Sequence, residues 1–174
     1  ERTVQRIGEA ANLGSAIRVA QLQLFNDQPT RARQTLAPFL DEVREDPATR
    51  PLAWSLMVDT FLRIGSIEEA WELFMLRAAA APPVQRYAGW LSRLENLDAE
   101  DVLEAVRFVE ARTPPEVDRT PSIGALLVAH QRTADPRIRA EVQERLAREK
   151  AKPAPIERQL QLAVFEAGLD DRPP

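Results

Sequence analysis

Four short polar sites set out a period along this chain. Asp27, Ser66, Asp98 and Asp135 each read as a helix N-cap, and they lie 39, 32 and 37 residues apart. Ser66-Ile67-Glu68-Glu69 spells a capping box, with a hydroxyl at the cap and Glu at the third helical position. Asp135-Pro136 puts proline at the first helical position, where its missing N–H costs nothing. Proline follows each cap after 16 to 20 residues, at Pro47, Pro82-Pro83, Pro114-Pro115 and Pro153. That leaves about four turns of helix at 3.6 residues per turn. The recurring unit is a helix, a short polar turn, a capped helix and a proline stop, which predicts stacked helical units.

The apolar spacing inside the units agrees. Trp54, Met57, Val58 and Phe61 fall at i, i+3, i+4 and i+7, and Ile67, Ala70, Trp71 and Phe74 repeat that spacing. Between them Arg63-Ile64-Gly65-Ser66 is a turn, with Gly where the first helix must stop. Two helices so closely joined pack antiparallel, and neither buries its stripe alone. Leu36, Phe39, Leu40 and Val43 stripe the helix expected after Asp27, and Val102, Ala105, Val106 and Val109 the one after Asp98. Ile123, Leu126, Leu127 and His130 suggest a helix before Asp135, and Ile138, Val142 and Leu146 one after it. Ile156, Leu160, Ala163 and Val164 mark the apolar side of a last helix, with Glu157, Arg158, Gln161 and Glu166 opposite, as an end cap requires. Val4, Ile7 and Ala11 fit a short helix or one running on to Phe25.

Composition narrows the chemistry. Ala, Leu, Arg and Glu dominate, which favours helix over strand. With six Gly among 174 residues, a phosphate-cradling loop is not expected. There are no cysteines, so disulfides, thiolate catalysis and Cys-ligated zinc are excluded. A net charge of −4 argues against a global attraction to nucleic acid or anionic lipid. No apolar run approaches the roughly 20 residues that span a bilayer. The start at Glu1, without Met, leads us to expect a piece of a longer chain, and cytoplasm and periplasm both suit it.

Residues 51–84 resemble a tetratricopeptide repeat. Trp54, Met57, Val58 and Phe61, then Ala70, Phe74, Arg77 and Pro82, keep that family's spacing. Val58 stands where the family prefers Gly or Ala, and Arg77 where it prefers Ala, so altered packing is expected at that junction. Fainter matches lie at Ala20, Asp27, Ala32 and Leu36, at Leu91, Phe108 and Ala111, and at Leu127, Asp135 and Ala140. The resemblance implies an all-α fold of antiparallel helix pairs stacked as a right-handed solenoid. About four hairpins would fill residues 13–150, preceded by an N-terminal helix or the remnant of another unit over 1–12. A capping helix would follow over 151–169 and a tail over 170–174.

Candidates for catalysis are sparse. His130 is the only histidine and lies on a predicted helix with Leu126 and Leu127, where a packed or surface residue is expected rather than a catalyst. No HExxH, GxSxG or Walker motif occurs. Glu141 with Arg145 and Glu144 with Arg148 are i,i+4 pairs in the favourable order and read as solvated helix surface. Trp54 and Trp71 read as core, whereas one of Tyr87 and Trp90 is expected to face outward as a partner anchor. Neither an enzyme nor a cofactor or metal site is expected.

Tetratricopeptide arrays bind peptides on the concave face lined by the first helix of each pair. Carried onto this chain, the outward positions include Arg18 and Gln21, Ser55, Asp59 and Arg63, Arg86 and Arg93, and Arg132, and Trp90 joins the expected set as a candidate aromatic anchor. The set is basic in an acidic chain, so the expected partner is a protein or peptide segment that is acidic or carboxylate-ended, held by Arg63, Arg86 and Arg93 as fork donors. The Lys and Asn set of the family's chaperone-tail clamp is absent, since no Lys precedes Lys150. The function expected is a binding scaffold or adaptor. The alternatives are an accessory helical domain that positions a neighbouring enzyme or secretion component, and a self-association module.

Overall fold

The computed structural model describes residues 12–170, and every regular element among them is helical. The expected helix through Val4, Ile7 and Ala11, and the tail from residue 171, lie outside the described residues. The chain divides after Ala80 into two compact units.

The first unit holds α1 (Leu13–Phe25), α2 (Pro29–Leu36), a 3-10 turn (Ala37–Phe39), α3 (Leu40–Glu45), α4 (Pro51–Arg63) and α5 (Ile67–Ala78). Its centre is α4, which packs against α1, α2, α3 and α5. Trp54, Met57, Val58 and Phe61 are buried as the spacing predicts, and Ala53, Leu56 and Leu62 join them. The Trp54 indole stacks on Phe74, with centroids 6.1 Å apart, and its Nε1 donates to the Leu73 carbonyl at 2.6 Å. Arg77, the departure from the repeat pattern, lies over the Trp54 ring at 4.9 Å, where a cation on an aromatic face is favourable. Trp71 is half-exposed and stacks on Phe74.

The α4–α5 turn closes as expected. Ser66 N–H donates to the Phe61 carbonyl and Gly65 N–H to that of Leu62, with Gly65 at φ 73°. This is the Schellman arrangement, which a glycine enters without a Cβ clash. The capping box, however, does not form, because the Ser66 side chain makes no cap hydrogen bond.

Asp27 has a different role from the one expected. Gln28 N–H donates to the Gln23 carbonyl and Asp27 N–H to that of Leu24, with Asp27 at φ 53°. Asp27 therefore ends α1 in the left-handed region, and Gln28 opens α2. Short polar Asp tolerates that region better than most residues, so the same residue type marks either end of a helix. The single long helix expected after Asp27 is also broken. Pro38 has no N–H to give and clashes with the preceding turn, and a 3-10 turn separates α2 from α3.

The second unit holds α6 (Pro83–Leu91), a 3-10 turn (Leu94–Asn96), α7 (Ala99–Arg112), α8 (Thr120–Thr133), α9 (Pro136–Lys150) and α10 (Ile156–Asp170). Here α8 is central, packed against α6, α7, α9 and α10. Ile123, Leu126, Leu127 and His130 are all buried, as the stripe predicts. Trp90 repeats the arrangement of Trp54, its Nε1 donating to the Ala105 carbonyl at 3.2 Å and its ring tilted on Phe108. Asp135 caps α9 through a hydrogen bond from Arg137 N–H at 2.7 Å, whereas the Asp98 side chain makes no cap bond on α7.

The last helix turns its other side inward. Leu162 and Leu169 are buried and Phe165 half-buried, while Ile156, Leu160 and Val164 are 69%, 63% and 68% exposed. The expected apolar side of the cap is thus its open side. Arg158, expected outside, is half-buried and reaches Asp118 at 3.0 Å.

Candidate functional site

In the first unit the expected binding positions lie on α1 and α4. Arg18 and Gln21 are exposed, and Ser55, Asp59 and Arg63 are half-exposed. Arg63 is already committed to the fold. Its Nη1 donates to the Leu24 carbonyl at 3.0 Å, as a second donor beside the Asp27 N–H, at the C-terminal end of α1, where the helix dipole favours a cation. Beside these positions α1 exposes Val19, Leu22 and Phe25, the last 88% exposed.

In the second unit Arg86 and Arg93 are half-exposed and Arg132 exposed. Arg132 Nη1 donates to the Glu95 carbonyl at 2.5 Å. The two central helices therefore end alike, each with an arginine on a carbonyl of an earlier turn. Neither Tyr87 nor Trp90 faces outward, since both are buried. Trp90 needs a partner for its N–H and Tyr87 one for its hydroxyl, and both find them inside, on the Ala105 carbonyl and on Glu110 Oε1 at 3.1 Å.

That Glu110 belongs to an ion network whose members lie far apart in sequence. Arg145 Nη1 donates to Glu110 and, at 3.0 Å, to Ser122 Oγ, and its Nε donates to Glu141 Oε1 at 2.9 Å. Arg107 reaches Glu141 at 2.9 Å, and Arg119 donates to the carbonyls of Glu110 and Thr113. The Arg145 side chain is only 10% exposed and that of Glu141 12%, so this pair is not the solvated surface expected; Glu144–Arg148 is. Burial favours the neutral acid at Glu141, but hydrogen bonds from Arg107 and Arg145 outweigh it and hold the carboxyl below its ordinary range. Burial likewise pushes the Tyr87 phenol up, so it stays protonated and donates. A cavity of about 300 Å³ opens beside Glu110, Arg119, Ser122 and Arg145, with Arg148, Glu149 and Lys152 at its edge.

The chemistry this arrangement offers is cohesion. Arg145, Arg119, Lys152 and Arg158 already meet carboxylates or carbonyls; the Glu110 network ties together α6 to α9, and Arg158 separately joins α10 to Glu149 of α9. His130 Nδ1 is buried without a hydrogen-bond partner, and among the described residues no group of three His, Asp or Glu could hold a metal ion. No described helix is long and apolar enough to cross a membrane.

Two features escaped the sequence. The ion network showed only its one i,i+4 pair, Glu141 with Arg145, because Glu110 and Arg145 are 35 residues apart. The open stripe of α10 was visible as a stripe, but nothing local says which side docks. No family model, curated protein or solved structure matches the chain.

Proposed function

We propose that this chain is a helical-repeat scaffold of the tetratricopeptide kind, which binds protein partners and catalyses nothing itself. One observation carries the binding half of this reading. Ile156, Leu160 and Val164 stand at i, i+4 and i+8 on α10, each about two-thirds exposed. Contiguous apolar surface on an ordered helix is unfavourable in water and marks a place where another surface is meant to sit. A partner helix laid along that side would bury the stripe as one repeat buries the next. The repeat half is supported by the matched indole contacts of Trp54 and Trp90 and the matched arginine contacts of Arg63 and Arg132.

Acid recognition moves accordingly. Arg63 and Arg132 hold main-chain carbonyls. Arg18, exposed on α1 beside Gln21, is the better probe of an acidic partner.

The test is a doubly substituted chain, Leu160→Glu with Val164→Glu, compared with the parent by crosslinking and capture from a native extract. Both residues are exposed, so the fold should survive. Partners held by the parent should be lost by the variant. An unchanged set would mean that α10 is not a binding face. Light scattering at high concentration then separates a foreign partner from a second copy of this chain.

A further inference from the structure

The break in the helix after Asp27 leaves a small pocket in the first unit. Its walls are Leu36, Ala37 and Leu40 on one side and Met57, Thr60 and Phe61 of α4 on the other, with Arg33 at its edge. Because Pro38 forces the chain into a 3-10 turn, Ala37 and Leu40 do not continue the packing of α2, and the space opposite Met57 stays open. Its volume is about 110 Å³. By comparison with apolar cavities that hold small hydrocarbons, that is room for roughly four or five carbons.

Two properties separate this pocket from a packing flaw. The Thr60 hydroxyl already donates to the Leu56 carbonyl at 2.7 Å, so the pocket asks for no buried donor to be satisfied. And a cation stands at its mouth. Arg33 is exposed, its guanidinium 5.8 Å from the Phe61 ring centroid, and no carboxylate pairs with it among the described residues.

We propose that this pocket binds an aliphatic carboxylate, with a short branched apolar group among Leu36, Leu40, Met57 and Phe61 and the carboxylate on the Arg33 guanidinium. The apolar group supplies the burial, and the fork donors of Arg33 select acid over neutral analogue. Such a group occurs in a free short-chain acid and at the end of a protein that terminates in leucine. The site does not depend on the scaffold reading above, since neither the α10 face nor Arg18 takes part in it.

The chain of residues 1–174 is titrated with sodium 4-methylpentanoate and with 4-methylpentanamide, while the methyl resonances of Leu36, Leu40 and Met57 are followed by NMR. Saturable shifts at these methyls are expected for the acid, with the amide about tenfold weaker, the factor typical of a charge-assisted hydrogen bond. Arg33→Gln, at an exposed position, should leave the fold intact and erase the difference between acid and amide. Ala37→Met, which adds bulk at the wall, should weaken both. Equal binding of acid and amide to the parent overturns the proposal, as does a preference that survives Arg33→Gln, or shifts confined to other methyls. A third arm compares a short peptide ending in leucine, free or amidated, with the free acid. Tighter binding of the free-ended peptide assigns the source to a protein terminus, and tighter binding of 4-methylpentanoate assigns it to a small acid. Failure here leaves partner capture through α10 untouched, and failure of that capture leaves these titrations untouched.

Discussion

Arg63 donates to the main-chain carbonyl of Leu24, 39 residues back in the sequence and 3.0 Å away. The bond joins the end of α4 to the end of α1, where the helix dipole favours a cation and the Leu24 carbonyl also accepts the Asp27 N–H. A charge-assisted hydrogen bond at such a site contributes about 1.5 kcal/mol. Arg63→Gln should lower unfolding free energy by roughly that amount in urea titration, whereas Arg18→Gln, at an exposed position, should change it by less than about 0.5 kcal/mol. Equal effects of the two would show that Arg63 is an ordinary surface residue.

Two positions carry a side chain in the left-handed region, Asp27 and Ala134, both at φ 53°. Alanine has no local hydrogen bond to offset the clash of its Cβ, and aspartate tolerates the region better. Ala134→Gly should therefore stabilise the chain by about 1 kcal/mol and Asp27→Gly by about half as much. Thermal unfolding ranks the two, and a reversed order would put the strain elsewhere.

Arg145 holds two carboxylates that are themselves nearly buried, Glu110 and Glu141. Arg145→Met leaves them without their main cation and should cost about 3 kcal/mol. The pH dependence has a definite sign. The folded Glu141 carboxyl lies below its ordinary 4.5. Its stabilisation is complete above that value and is lost as pH falls through the lowered folded pKa. Acid should thus weaken the parent more steeply than a Glu141→Gln variant, as circular dichroism between about pH 5 and pH 2 would register.

Gly124 sits in the middle of α8 with Phe165 of α10 across from it. A methyl group there would lie 3.5 Å from the Phe165 ring, an ordinary contact. Glycine in a helix interior costs about 0.8 kcal/mol relative to alanine. Gly124→Ala should then raise stability by most of that amount, and a loss in a melting experiment would mean that α8 and α10 sit closer than described.

What the sequence disclosed and what it withheld follow from range. The Trp54-Met57-Val58-Phe61 and Ile123-Leu126-Leu127-His130 stripes mark buried faces, because helical periodicity is a local property. Gly65 marks a helix end for the same reason. Asp27 misled because aspartate suits both an N-cap and a left-handed C-terminal position, and only the bonds from residues 27 and 28 decide. Trp90 and Tyr87 misled because their buried polar partners, the Ala105 carbonyl and Glu110, are 15 and 23 residues away. On α10 two stripes compete, Ile156-Leu160-Val164 and Leu162-Phe165-Leu169, and the choice rests on what α8 and α9 present to it. Of the binding positions that the resemblance implies, Arg18 and Gln21 lie at the surface, but nothing local marks the carbonyls that engage Arg63 and Arg132.

The placement of the indoles has a practical consequence. The chain has three tryptophans, with Trp54 and Trp71 before the division at Ala80 and Trp90 after it. Trp54 and Trp90 are each buried and each hydrogen-bonded to a carbonyl within their own unit. Replacing the half-exposed Trp71 by phenylalanine would leave one shielded fluorophore per half. Emission from the Trp54→Phe and Trp90→Phe derivatives of that chain would then time the melting of each half separately, with no dye attached.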